Sequence, residues 1–157
     1  MLKEILSPKT CAKCRLCCSF DRDDSWENPV ISEKTAEIVK EQCKKGELLP
    51  YGEKSYRFAL SFNGEGLAYC PALTEKGCCL DDNAKPFDCK IWPYRVMRKG
   101  DKLVIVLSPV CESMTAMDFS KTKTFGEKIA NEIFMQAEEN PDIIKEYIEG
   151  YPIVAEK

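Results

Sequence analysis

Residues 11–18 read CAKCRLCC and place four of the chain's ten cysteines within eight positions. Cys11, Cys14 and Cys17 recur at every third residue, and Cys18 stands directly against Cys17. A C-x-x-C turn aims two sulfurs at one point and presents backbone N–H groups to them, so a second repeat delivers three sulfurs in one pass of chain. Around a single zinc ion, thiolates sit at about 2.3 Å from the metal and roughly 3.8 Å from one another, where they repel strongly unless a cation holds them. Zinc sites more often draw two sulfurs from each of two loops, whereas three sulfurs from one run with a fourth from elsewhere is the habit of bacterial ferredoxin-type clusters. Adjacent side chains diverge in most backbone conformations, so Cys17 and Cys18 do not easily reach one metal together. Cys18 is then either a small buried apolar residue beside the site or a ligand of a second site.

Outside this run the composition narrows the choices. A chain of 157 residues fits one domain of the usual size, roughly 100 to 150 residues. Lys+Arg 23 against Asp+Glu 26 gives a net charge of -3, without the basic surplus that binding to phosphate backbones requires, so nucleic acid is not an expected partner. Apolar runs such as LVIVL at 103–107 fall far short of the roughly 18 residues that span a bilayer, and the opening MLKEILSPKT has no apolar signal core. A cytoplasmic protein without membrane association is expected. In that compartment crowded cysteines argue for metal rather than disulfides. The sequence contains no histidine, which removes Cys₂His₂ zinc and every Ser-His or Cys-His nucleophile pair. Any metal must be bound by sulfur.

Working along the chain, residues 1–31 read as polar, proline-punctuated loop organised by the metal and ending in the charged run DRDDSWENP. SEKTAEIVKEQCKKG, from Ser32, predicts an amphipathic helix with Ser32 as N-cap and Gly46 as stop. Ala36, Val39 and Cys43 share its apolar stripe, which makes Cys43 a core thiol rather than a ligand. SYRFALSF at 55–62 alternates Tyr56, Phe58, Leu60 and Phe62 on one face, the period of a half-buried strand. The second cysteine segment runs from Cys70 to Tyr94, with Cys78-Cys79 and Cys89 inside it. YRVMRKGDKLVIVLSPVC then predicts a hairpin, strands 94–98 and 102–107 turning over Lys99-Gly100-Asp101, with Cys111 just beyond. Helices are expected over 124–149. The first is capped by Thr124 and Glu127 and carries Phe125, Ile129, Ile133 and Ala137 on one face, and a short one runs from Pro141 to a stop at Gly150.

Several charged and aromatic residues near the cysteines have two readings. Lys9, Lys13 and Arg15 flank the first cluster, and Lys76, Lys85, Lys90, Arg95 and Arg98 the second, either as counter-charges to metal-bound thiolates or as ordinary solvated cations. Asp81, Asp82 and Asp88 read as turn chemistry ahead of hard ligands, and Trp92 and Tyr94 as hairpin packing ahead of a stacking platform.

Cys11-Ala-Lys-Cys14-Arg-Leu-Cys17-Cys18, Cys70-Pro71-Ala-Leu73, Gly77-Cys78, Lys85-Pro86-Phe-Asp-Cys89-Lys90, Trp92-Pro93 and a late Pro109-Val-Cys111 together resemble the CxxCxxCC family of zinc- or iron-chelating proteins. The resemblance covers about residues 11–111. It implies a cysteine-chelated metal on Cys11, Cys14, Cys17, Cys18, Cys70, Cys78, Cys89 and Cys111, and, by way of flagellin lysine methylases that share a similar motif, an iron–sulfur cluster. Lys85 and Lys90 depart from the arginines frequent in that family. The doublet Cys78-Cys79 leaves two candidates for one ligand, of which Cys78 fits the family's C-x-[IL] step.

The expectation is therefore a small α+β domain: a cysteine-rich lobe organised by metal, a short antiparallel sheet and flanking helices. No catalytic acid, base or nucleophile stands out. The expected function is a cysteine-ligated iron–sulfur protein in electron transfer or as a redox component of a larger enzyme, with a zinc module of structural or protein-partner role as the alternative. In the cluster reading Cys89 is the expected fourth ligand to Cys11, Cys14 and Cys17, with Cys18 facing Cys70, Cys78 and Cys111.

Overall fold

The computed structural model of the chain describes residues 2–22 and 25–157; Asp23 and Asp24, inside the charged run, lie outside them. The one-domain expectation rested on length, and the chain divides into two compact units, Lys3–Lys90 and one built on Ile91–Lys157. Both mix helices with small sheets, so the α+β class holds, with four sheets in place of one.

In the unit of residues 3–90 the expected loop before position 31 is largely regular. Helix α1 (Pro8–Cys14) starts with proline in its first turn, where a missing N–H costs nothing, and is followed by a 3₁₀ turn (Leu16–Cys18) and strand β1 (Ser19–Asp21). β2 (Ile31–Ser32) leads into helix α2 (Glu33–Gln42), with Ser32 at the N-cap as expected. Ala36 and Val39 are buried on the predicted stripe, and Cys43 caps the C-terminus with 4% exposure, a core thiol. β3 (Leu48–Tyr51) and β4 (Ser55–Phe58) follow. The predicted strand over 55–62 ends at Phe58. Tyr56 and Leu60 are only partly buried against the core, so the alternation belongs half to a strand and half to a loop. β5 (Leu67–Tyr69), β6 (Leu73–Thr74), β7 (Gly77–Cys78) and helix α3 (Phe87–Ile91) complete the segment.

Three small sheets result: β1 with β5, β2-β4-β3, and β6 with β7, all antiparallel. They enclose a core that includes Phe20, Ile31, Val39, Phe58, Cys70 and Leu80. Asp88, 2% exposed, accepts the Val30 N–H at 3.0 Å and so ties α3 to the chain entering β2. Its charge also supports the Arg57 guanidinium, whose carbon lies 3.6 Å from the Tyr51 ring centroid. Asp88 is thus a buried brace. Asp81 is the turn residue expected of it, its Oδ1 accepting the N–H groups of Asn83 and Ala84, both at 2.9 Å.

In the unit built on residues 91–157, β8 (Tyr94–Lys99) and β9 (Lys102–Leu107) form the predicted hairpin. Lys99 pairs with Lys102, so the turn is the two-residue Gly100-Asp101. Gly100 has φ 59°, the left-handed conformation that primed hairpin turns need at their first central position. Cys111 caps helix α4 (Glu112–Thr115). Helix α5 (Phe119–Glu139) buries Phe125, Ile129, Ile133 and Ala137 as predicted but begins five positions before Thr124. Asp118 caps it, its carboxylate accepting the Ser120 N–H at 2.8 Å, while Glu127 pairs with Lys123 and forms no capping box.

The helix expected from Pro141 does not form. A 3₁₀ turn (Pro141–Ile143) gives way to β10 (Lys145–Glu146), parallel to β8, and β11 (Ile153–Glu156) pairs antiparallel with β9, giving the order β10-β8-β9-β11. An isolated two-stranded hairpin leaves two open rows of N–H and C=O groups, and pairing those edges outweighs the weak helical pattern of the tail.

Helix α5 packs across β8, β9 and β11, and Gly126 is where it comes closest. A Cβ there would lie 2.8 Å from Val154 Cγ2 and 2.9 Å from Tyr94 Cε1, and Tyr94 cannot swing away because its hydroxyl donates to the Thr122 carbonyl at 2.6 Å. Alanine gains about 1 kcal/mol in helix propensity, whereas overpacking costs about 1 to 3 kcal/mol. Gly126→Ala is therefore expected to lower stability by about 1 kcal/mol in urea titration; a stabilised variant would show that the contact is slack.

Candidate metal centre

The first cysteine run is built from a helix, a left-handed residue and a 3₁₀ turn. Cys11 and Cys14 lie three apart on α1 and hence on one face of it. Arg15 ends the helix at φ 59° and starts the turn that carries Cys17 and Cys18. A non-glycine residue in this conformation costs free energy unless its surroundings hold it. Here Arg15 Nε donates to the Ala12 carbonyl at 3.2 Å and Nη2 to the Glu75 carbonyl at 2.8 Å, while Ser19 Oγ donates to the Arg15 carbonyl at 3.2 Å. Arg15 thereby reverses the chain between Cys14 and Cys17 and fastens it to the β6–β7 turn.

The second run is brought alongside by strand pairing. Ser19 pairs with Tyr69 in the β1–β5 ladder, and just beyond it the Cys70 N–H donates to the Cys18 carbonyl at 2.8 Å. Leu73 pairs with Cys78 in β6–β7, and that hairpin packs on α1, where Gly77 leaves only van der Waals room for Ala12. Segments that are some sixty residues apart in sequence are thus neighbours.

The electrostatics follow this geometry. Desolvation first, and then the nearby charges of Cys17 and Cys14, raise the Cys11 thiol, while Lys85 opposes them. Partial desolvation of its sulfur raises Cys78, with Cys17 adding to the effect and Lys85 again opposing it. Burial pushes Cys70 up to about 12, with Cys78, Cys43 and Cys17 contributing. Cys17 is therefore the thiol that Cys11, Cys70 and Cys78 have in common, and half-buried Lys85 is the cation beside Cys11 and Cys78.

Both doublets separate. Cys18 packs against the apolar core that includes Phe20 and Val39, and Cys17 adds to the rise of the Cys70 and Cys78 thiols. Cys17 contributes to the rise of the Cys78 thiol, whereas partial burial and then Cys43 raise the Cys79 thiol. Cys89 lies half-buried in α3, its N–H donating to the Pro86 carbonyl. Cys111 belongs to the other unit, where its carbonyl accepts the N–H groups of Met114 and Thr115. None of the ten cysteines is disulfide-bonded.

Among the described residues no three Cys, Asp or Glu side chains are gathered closely enough to hold one metal ion. What is gathered is a wider set of thiols in electrostatic reach of one another. As a donor set it fits a soft metal: the groups are sulfurs, their charges oppose one another, and a cation among them would relieve both the repulsion and the desolvation that keep them protonated.

No family model matches the chain, and comparison with curated proteins and with solved structures finds no match. The likeness to CxxCxxCC proteins rests on the motif. Among the described residues no helix is long and apolar enough to cross a membrane.

The raised Cys70 thiol gives the metal-free protein a defined response to alkali. An unfolded cysteine loses its proton near 9.0 and folded Cys70 near 12, so between these values the folded state binds more protons than the unfolded one. Stability is full below about pH 9 and falls above it by up to about 1.4 kcal/mol per pH unit. Denaturant titrations of reduced, metal-free protein on either side of pH 9 are expected to show this slope, reduced in Cys70→Ala. Equal slopes in the two proteins would place Cys70 in contact with water.

Proposed function

We propose that the chain is an iron–sulfur protein acting in electron transfer or as a redox component of a larger enzyme. Cys11, Cys14 and Cys17 would supply three thiolates and Cys78 the fourth. What supports this reading is the packing of β6–β7 on α1 and the pairing of β1 with β5, which bring the segments that carry Cys11–Cys17 and Cys70–Cys78 side by side. Cys78 is taken as the fourth because the β6–β7 hairpin that carries it packs on α1, and Cys89, in α3 of the same unit, is the other candidate from the second segment.

When bound, such a cluster supplies one-electron chemistry. The chain's own part is to hold four sulfurs, to keep Cys70 and Cys18 packed behind them, and to set the Lys85 charge beside the anionic thiolates, an arrangement that favours extra negative charge at the site. Metal would also lend cohesion to α1 and the turn after it.

Limited proteolysis tests the link between metal and structure. Protein reconstituted without oxygen from ferrous iron and sulfide is expected to turn brown and to resist cleavage over residues 7–18, and chelation is expected to restore cleavage there. The same digestion pattern with and without iron and sulfide would count against the proposal; protection by zinc alone, without colour, would favour the zinc module.

A further inference from the structure

Two hollows in the surface of the unit of residues 3–90 run into each other. A groove of about 1110 Å³ and a cleft of about 550 Å³ share Arg15 and Glu75 in their walls. Lys9 and Lys13 lie four apart on one face of α1, Lys76 stands in the β6–β7 turn, and Lys44 and Lys45 follow α2; with Arg15 they line this joint depression. All five lysines are exposed, and among the described residues none is held in an ion pair. Arg15 donates to the carbonyls of Ala12 and Glu75, which fix its guanidinium without neutralising it. Glu41 and Glu75 are the carboxylates of the walls, so six of the chain's 23 cations face two of its 26 acids on a chain whose net charge is -3. Pro71, Leu73 and Tyr69 give the groove an apolar wall, and Tyr69 is 58% exposed.

We propose that this depression docks an extended acidic segment of a partner protein, with apolar residues set among its carboxylates. Cations gathered on one face of an otherwise acidic chain draw an acidic partner to that face and fix its register. Tyr69, Pro71 and Leu73 receive its apolar side chains, and an exposed aromatic residue that becomes buried is the kind of contact that carries most of the binding energy at such surfaces. A small anion would fill only part of the depression. A nucleic acid presents an unbroken run of phosphates, which Glu41 and Glu75 repel and the apolar wall does not match. Carboxylates interrupted by apolar residues satisfy both walls. Cys14 also lines the groove, so under the function proposed above a partner seated here lies beside the proposed metal centre. The docking itself rests on the shape and charge of the depression and not on metal.

Fluorescence anisotropy tests it, with the full chain purified without oxygen titrated into a fluorescein-labelled peptide of glutamates around a central pair of leucines. Saturable binding is expected, weakening about tenfold as sodium chloride rises from about 0.05 M to about 0.5 M, because salt screens exposed charges. Lys44→Glu in the groove and Lys76→Glu in the cleft are each expected to weaken binding about fivefold. Lys121→Glu on α5 makes the same change of net charge outside both walls and is expected to weaken it less than about twofold. Weakening in only one of the first two variants, an equal loss in Lys121→Glu, no saturable binding, or tighter binding of a single-stranded oligonucleotide of the same charge would overturn the proposal. The readout needs no iron, so peptide binding by a chain that forms no cluster would uphold the docking site while refuting the function proposed above.

Discussion

Cys17→Ser is expected to abolish the proposed metal centre, while Cys18→Ser leaves it in place. The two residues are adjacent and chemically identical, so the contrast isolates geometry. Cys17 adds to the charge around Cys11, Cys70 and Cys78, and Cys18 packs against the apolar core. Changes to groups that merely orient a metal ligand already cost about 10- to 100-fold in affinity, so removing a proposed ligand itself should exceed that. A serine hydroxyl does not compensate, because it ionises with difficulty and is a hard donor for a soft metal. Iron per chain after anaerobic reconstitution is the readout. Equal iron in the two variants, or loss in Cys18→Ser alone, would mean that the doublet is turned the other way.

Asp88→Ala is expected to be the most damaging change away from the cysteines. It strands the buried Val30 N–H and withdraws the negative charge that supports Arg57. An unsatisfied buried donor together with a weakened, half-buried cation costs about 3 kcal/mol, a large part of the roughly 5 to 15 kcal/mol that holds a domain folded. For a protein of this size the melting temperature should fall by about 10 °C. A fall of less than 2 °C, read by circular dichroism on the metal-free protein, would show that water replaces the carboxylate and that Asp88 is no brace.

Where local pattern and tertiary demand agree, the chain could be read directly. The buried stripe Phe125, Ile129, Ile133 and Ala137 is helical in both, and the hairpin over Gly100 follows from a glycine between two β-rich runs. Cys43 was legible as a core thiol from its place on the α2 stripe. Long-range pairing was not legible. Nothing local tells that Lys145 and Glu146 will add to the edge of β8, so a weak helical pattern masked a strand. Thr124 and Glu127 have the spacing of a capping box, yet Asp118 is the cap that forms, and its signal is a single aspartate before a polar stretch.

The cysteine run shows the same division. Spacing alone groups Cys11, Cys14 and Cys17. What reverses the chain between Cys14 and Cys17 is Arg15 in a left-handed conformation, held by carbonyls at Ala12 and Glu75, and no sequence rule places an arginine there. The Gln42–Asp81 pair of hydrogen bonds across the fold was likewise hidden, since it joins residues thirty-nine positions apart.

The central claim is that these thiols hold an iron–sulfur centre, and the most direct measurement is metal and acid-labile sulfide analysis of the full chain purified without oxygen. Brown protein with iron and sulfide in comparable amounts, both lost in Cys11→Ser, Cys14→Ser, Cys17→Ser and Cys78→Ser, is the expected result. Colourless protein carrying stoichiometric zinc and no sulfide would contradict it.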